Sequence, residues 1–220
     1  MSSASSLTGS TVGKKVLMAV TGIILFGFVF VHMLGNAQIF LPDGPNKLTA
    51  YGKLLRTIPE LLWVARAILL VSVVVHIWAA VKLTQIRRAA RPIPYRSYAV
   101  VQATYASRTM MWSGPILAAF VIFHLMNLTI GNAHPDFVEG DVGHNFIAAF
   151  QNVPTSLFYI VSMLALAFHL SHGAWSMFQS LGINHPRYNK FLRNFARTAT
   201  FIIVAVNIAM PVAVMTGFIR

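Results

Sequence analysis

The stretch AFHLSHGAWSMF, residues 167–178, carries His169 and His172 inside a long apolar run. His32, His76 and His124 sit in apolar runs of their own. In such surroundings an imidazole ligates a metal through an unprotonated nitrogen, relays protons, or hydrogen-bonds a neighbouring helix. Ionisable side chains are costly in an apolar medium, so each of these five is a functional candidate. His134, His144 and His185 fall in polar stretches and read as ordinary solvated side chains. A single intramembrane histidine argues little; the positions of all five carry the argument.

Their setting is set by composition. Of 220 residues, 56% are hydrophobic and 10% charged, the balance of a membrane protein rather than a soluble domain. Apolar runs at about 14–40, 60–88, 104–131, 155–182 and 195–219 each reach the ~20 residues a helix needs to cross the hydrocarbon core. Backbone groups cannot go unpaired in lipid, and these runs lack strand-like alternation, so they are helices. The sequence therefore predicts an all-α membrane protein, a bundle of five transmembrane helices forming one domain over residues 1–220. The first run follows Lys14 and Lys15 as a signal core would, but it is too long and has no clear cleavage site, so it reads as the first span.

The absence of cysteine removes thiolate ligands for an iron–sulfur cluster or structural zinc. No glycine-rich phosphate loop stands between a strand and a helix, which argues against a nucleotide or flavin site. The net charge of +12 would suit nucleic acid, but the basic residues gather at span ends, where membrane topology explains them. Lys14 and Lys15, the stretch Lys82 to Arg108, and Arg187, Lys190, Arg193 and Arg197 all fall on one side of the predicted membrane. The opposite loop at 132–154 holds Asp136, Glu139 and Asp141 and no Lys or Arg. The positive-inside rule then makes the N-terminus cytoplasmic and Arg220 external. The segment RRAARPIPYR, 87–96, reads as a cytoplasmic connection or a docking surface, and SSASSLTGST near the N-terminus as a mobile tail.

Depth groups the histidines. At 1.5 Å per residue His32 lies about 26 Å from the start near Lys15 and His124 about 24 Å from Arg108, both toward the outer side. His76 lies about 9 Å from Lys82 and His169 about 20 Å from Gly182, both in the inner half. Helices one and three thus offer two imidazoles at an outer level, and helices two and four offer two at a deeper one. That is the arrangement of two stacked bis-histidine haems, each iron held between imidazoles on different helices. Zinc or non-haem iron would want three or four ligands at one level, and a proton relay would want acids along its path; no acid lies in the interior of any span.

Periodicity leaves one choice open, since His169 and His172 differ by about 60° around their helix and either faces a cofactor equally well. Gly173 leaves room for a flat macrocycle beside them, and Gly35 and Gly131 are candidates for the same role elsewhere or for the ordinary small-residue packing of membrane helices. Arg66, the one cation well inside a span, is a fitting partner for a propionate of the outer haem, or else snorkels to the interface.

The five-span layout, a histidine in each of the first four spans, WVARAILLVSVVVHIWAA at 63–80 and FHLSHGAWSMFQSLGINHP at 168–186 resemble one family. It is the cytochrome b subunit of succinate dehydrogenases and fumarate reductases, of the single-chain di-haem type often called cytochrome b558. The resemblance implies two haem b groups, with His32 and His124 on the outer iron and His76 and His169 on the inner. His172 would then support the site without ligating. It further implies a flavoprotein and an iron–sulfur partner on the cytoplasmic face, a membrane quinone (menaquinone or ubiquinone), and residence in the cytoplasmic membrane. The expected function is the electron-transfer, quinone-reactive anchor of a succinate:quinone oxidoreductase. A quinol:fumarate reductase anchor, a di-haem cytochrome serving another oxidoreductase, and a cofactor-free transporter are the alternatives. The chain departs from some relatives in having Ala167 where they carry a glutamate linked to proton transfer. Glu60, at the outer start of the second span, reads as a helix-start carboxylate, with a quinone-site role as the competing reading.

Overall fold

The computed structural model describes residues 7–90, 105–134 and 136–220. The start of the N-terminal tail and the Pro-rich connection from residue 91 lie outside the described residues. Five helices are long and apolar enough to cross a membrane: α1 (Thr11–Asn36), α3 (Pro59–Ala89), α4 (Tyr105–Leu125), α6 (Val153–Ser180) and α7 (Pro186–Met215). Two short helices, α2 (Gly44–Leu54) and α5 (Val142–Gln151), lie between them at one end. No strand occurs among the described residues. The odd number of spans puts the termini at opposite ends of the bundle, called here the N-terminal and C-terminal ends.

Local chemistry sets the helix limits. The Ser10 hydroxyl accepts from the Gly13 amide at 2.9 Å and starts α1, and Asn152 Oδ1 accepts from the Thr155 amide at 3.1 Å and starts α6. Proline in the first turn of α3, α6 and α7 supplies a preset φ where no amide partner is needed. Gly182, at φ +78, ends the turn after α6 in a left-handed conformation that disfavours other residues. The fifth helix departs from the sequence expectation of 195–219: His185 Nδ1 accepts from the Arg187 amide and Pro186 opens the first turn, so α7 begins well before the apolar run. Its polar first turns carry the helix out to the N-terminal end.

The second departure is at the C-terminal end. The 132–154 connection, read as a loop, contains α5, and the connection between the first two spans contains α2; the two pack on each other and cover that end. Thr49 ties them together: its hydroxyl donates to Asp141 Oδ1 at 2.8 Å and accepts from the Gly143 amide at 2.9 Å. Beneath this cap lies a core of Ile39, Leu48, Phe146, Phe150, Tyr159 and Met210. The large apolar side chains of α3, among them Leu61, Trp63, Leu70 and Val74, point outward, as a lipid-facing helix requires.

Candidate functional site

Four of the spanning helices define the site by how they fail to pack. α1 lies against α3 and α6, and α6 lies against α4, so the four form corners of an open square. α3 and α4 do not pack along each other; a contact from the Thr84 hydroxyl to Met111 Sδ at 3.8 Å links them. The diagonals α1 to α4 and α3 to α6 are likewise unpacked. Each diagonal is bridged by two imidazoles.

On the α1–α4 diagonal the rings of His32 and His124 stand with centroids 5.8 Å apart and planes at 88°. On the α3–α6 diagonal His76 and His169 stand 6.2 Å apart with planes at 55°. Two imidazoles on opposite sides of one metal, with bonds of ~2 Å and a ring radius on each side, have centroids roughly 6 Å apart.

Neighbouring polar groups fix which ring nitrogen is available. Thr21 Oγ1 donates to the carbonyls of Leu17 and Met18 at 2.8 and 3.1 Å, so toward His76 it accepts. His76 Nδ1–H donates to it at 3.1 Å, which leaves Nε2 with a free lone pair. At His124 the same result comes through a longer relay. Asn127 Nδ2 donates to the Ala133 carbonyl at 3.0 Å, which turns Oδ1 toward Tyr159. The Tyr159 hydroxyl donates to that oxygen at 3.5 Å and so accepts from His124 Nδ1–H at 3.2 Å. Again Nε2 is the free nitrogen. Such an outer hydrogen bond on the remote nitrogen is what orients a metal-ligating histidine and raises its basicity.

The other two partners are held less firmly. Ser113 Oγ lies 3.5 Å from His169 Nδ1. Asn36 Nδ2 donates to His32 Nε2 at 3.1 Å, so a metal at that nitrogen would take the place of this donor. His32 also stacks on Phe28, one turn earlier, with centroids at 5.2 Å.

Thr21, Ser113, Asn127, Tyr159 and Asn36 were not singled out from the sequence. Four of them are polar groups within long apolar helices, and Thr21, Ser113 and Asn127 are buried, a pattern that could have marked them. Asn127 owes its place to a single π-turn, Met126–Ile130, which widens the end of α4 and ends at Gly131.

The remaining candidates divide. A Cβ on Gly173 would meet nothing within 4 Å, so space does lie beside α6 there. Gly35 and Gly131 serve packing instead of a macrocycle: a Cβ on Gly35 would lie 2.6 Å from the Tyr51 ring, and Gly131 sits at φ +87 against Phe137. His172 is half-buried and has no hydrogen-bond partner among the described residues. Arg66 is exposed, its guanidinium 4.9 Å above the Trp63 ring, and Glu60 stands in the first turn of α3. His134, His144 and His185 bond within their loops and caps; His144 pairs with Asp136 at 3.0 Å.

The donor set suits a haem-type group better than a small metal ion. No cluster of three or more His, Asp or Glu suited to a metal ion occurs among the described residues, whereas two imidazoles per level is the axial set of a six-coordinate haem iron. Fold and site together define a multi-pass helical membrane protein with histidine pairs across its bundle. The family model for the succinate dehydrogenase/fumarate reductase transmembrane subunit matches residues 87–209, and the chain belongs to that family. The match takes in His124, His169 and His172 and begins beyond His32 and His76. No curated protein and no solved structure matched the chain.

Proposed function

We propose that this membrane subunit is the di-haem cytochrome b anchor of a succinate:quinone oxidoreductase. In this reading it passes electrons from an iron–sulfur partner on the cytoplasmic face toward membrane quinone, and a flavoprotein performs the dicarboxylate chemistry. The observation that carries the proposal is the pair of diagonals: helices held apart, each gap spanned by two imidazoles about one metal's width across. Haem supplies a one-electron iron couple, which imidazoles alone lack. His76 and His124 offer Nε2 because Thr21 and Tyr159 hold the Nδ1 protons. His32 with His124, and His76 with His169, would hold such a group from two helices each, a ligand set that would suit it to electron transfer. His169 is preferred to His172 as a ligand because its ring is the one facing His76.

The test is a reduced-minus-oxidised spectrum with a pyridine-haem assay on the purified protein. Two haems per chain are expected, one lost in His32→Ala or His124→Ala, the other in His76→Ala or His169→Ala. His172→Ala should keep both. A folded wild-type protein without haem would return the histidines to packing or proton transfer.

A further inference from the structure

Away from both histidine pairs, on the lipid-facing side where α6 meets α7, lies a crevice of about 360 Å³. Arg197, Thr200, Phe201, Val204 and Ile208 line it from α7, and Ser171 from α6. The α7 residues recur at helical spacing and form one continuous stripe. The stripe is ordered along the helix: the cation is nearest the N-terminal end, then the hydroxyl, then apolar side chains to Ile208, about 16 Å further on.

Two groups in this crevice lack partners. Thr200 is 4% exposed and its hydroxyl is the buried side-chain group without a hydrogen bond among the described residues. Elsewhere in the spanning helices the hydroxyls of Thr21, Ser162 and Ser171 turn back to a carbonyl four residues earlier at 2.6–2.8 Å. Arg197 is exposed and unpaired among the described residues. All five acids of the chain, Asp43, Glu60, Asp136, Glu139 and Asp141, belong to the C-terminal end, so Arg197 has no carboxylate within reach of its own end.

We infer that this crevice binds one anionic phospholipid of the leaflet at the N-terminal end of the bundle. The headgroup phosphate lies at Arg197, and the Thr200 hydroxyl turns about its Cα–Cβ bond to donate at the head. An acyl chain runs past Phe201 and Val204 toward Ile208. Both free donors lie at one end of an otherwise apolar groove, which is the polarity of a lipid along the membrane normal. A quinone ring presents acceptors on two opposite sides, and the Ser171 proton is already committed to the Ala167 carbonyl. A basic residue near an anionic headgroup gives about fivefold tighter binding, more when charge-assisted hydrogen bonds form.

Native mass spectrometry of the protein, isolated with the subunits that accompany it, tests this by titration with dioleoyl phosphatidylglycerol against dioleoyl phosphatidylcholine. One phosphatidylglycerol should be retained with at least fivefold preference. Arg197→Gln should abolish the preference and Arg197→Lys should keep most of it. Thr200→Val, which removes an unpaired buried hydroxyl without changing shape, should raise the melting temperature in lipid-free detergent and shrink the rise caused by phosphatidylglycerol. The proposal falls if the preference is absent, if it survives Arg197→Gln, or if decylubiquinone or inorganic phosphate displaces the lipid. It falls too if the bound companion subunits close the crevice to lipid, which would assign Arg197 to a protein interface.

Discussion

At the C-terminal end, His124 Nδ1–H donates to the Tyr159 hydroxyl, which donates to Asn127 Oδ1, and Asn127 Nδ2 donates in turn to the Ala133 carbonyl. Tyr159 sits edge-on to Phe120 and Phe150 at 5.0 and 4.9 Å, so the relay stands in an aromatic wall beneath α2 and α5. At the deeper level, His76 has the Thr21 hydroxyl, itself fastened to its own helix, with the Met18 carbonyl beside it, and His169 has Ser113 at 3.5 Å. One member of the outer pair, His124, is therefore oriented by a chain of groups from several segments, whereas both members of the deeper pair have single hydroxyls on adjacent helices. Orientation by a chain is rigid but fails as a unit when any member is removed.

Tyr159→Phe should therefore have the largest effect among changes that leave the imidazoles in place. It strands the His124 Nδ1–H and Asn127 Oδ1 in a buried region, a cost of about 1–3 kcal/mol. Thermal unfolding in detergent should move down by several degrees. On the proposed di-haem reading, the His124 imidazole without its acceptor is less basic and would stabilise an oxidised iron less, so the potential of the haem proposed there should rise while the other holds still. Equal shifts in both haems would break the distinction between the ends. Thr21→Val is the matched change at the deeper pair, with an expected loss of about 0.5–1.5 kcal/mol, since one hydrogen bond is removed and no relay collapses. On the same reading, a potentiometric titration should show the potential of the haem proposed at His76 and His169 rising and the other unchanged. A larger loss than in Tyr159→Phe would reverse the ranking.

The spanning helices were legible because lipid imposes one requirement, about 20 apolar residues, that a sequence displays directly. The histidine levels were legible for the same reason: a fixed rise converts position into depth. The family resemblance, carried by the five-span layout, the histidine in each of the first four spans and the stretches at 63–80 and 168–186, agrees with the match over residues 87–209. The sequence did not yield α2 and α5, whose 11 and 10 residues are too short to stand out against a loop and depend on Thr49, Asp141 and packing for their stability. Nor did it yield the relay through Tyr159, because Asn127 and Tyr159 are far apart in sequence and meet only once the π-turn has rotated Asn127 inward. For Gly35 and Gly131 the sequence left a cofactor and ordinary packing both open, because a small residue looks the same whichever fills the space; Tyr51 and Phe137 fill it.

The two ends should also differ, more modestly, in their response to acid. Asp141 starts α5, and its carboxylate accepts from the His144 amide at 3.1 Å and from the Thr49 hydroxyl at 2.8 Å. These bonds to the charged form hold it below the ordinary carboxylate range. The folded value lies below the unfolded one, so its contribution is fully present above about pH 4 and is lost as pH falls through the lower folded value. The carboxylate is partly open to solvent, which keeps the effect small. No acid stands at the N-terminal end to give a matching response. Hydrogen exchange followed from pH 6 to 3, after correction for intrinsic rates, should show the Gly143 and His144 amides losing protection below about pH 4 while the inner turns of α6 do not. In Asp141→Asn the amides should start less protected and change little with pH. Parallel loss at both ends in the wild type would mean that acid acts on the whole bundle and that the cap is not a separately braced unit.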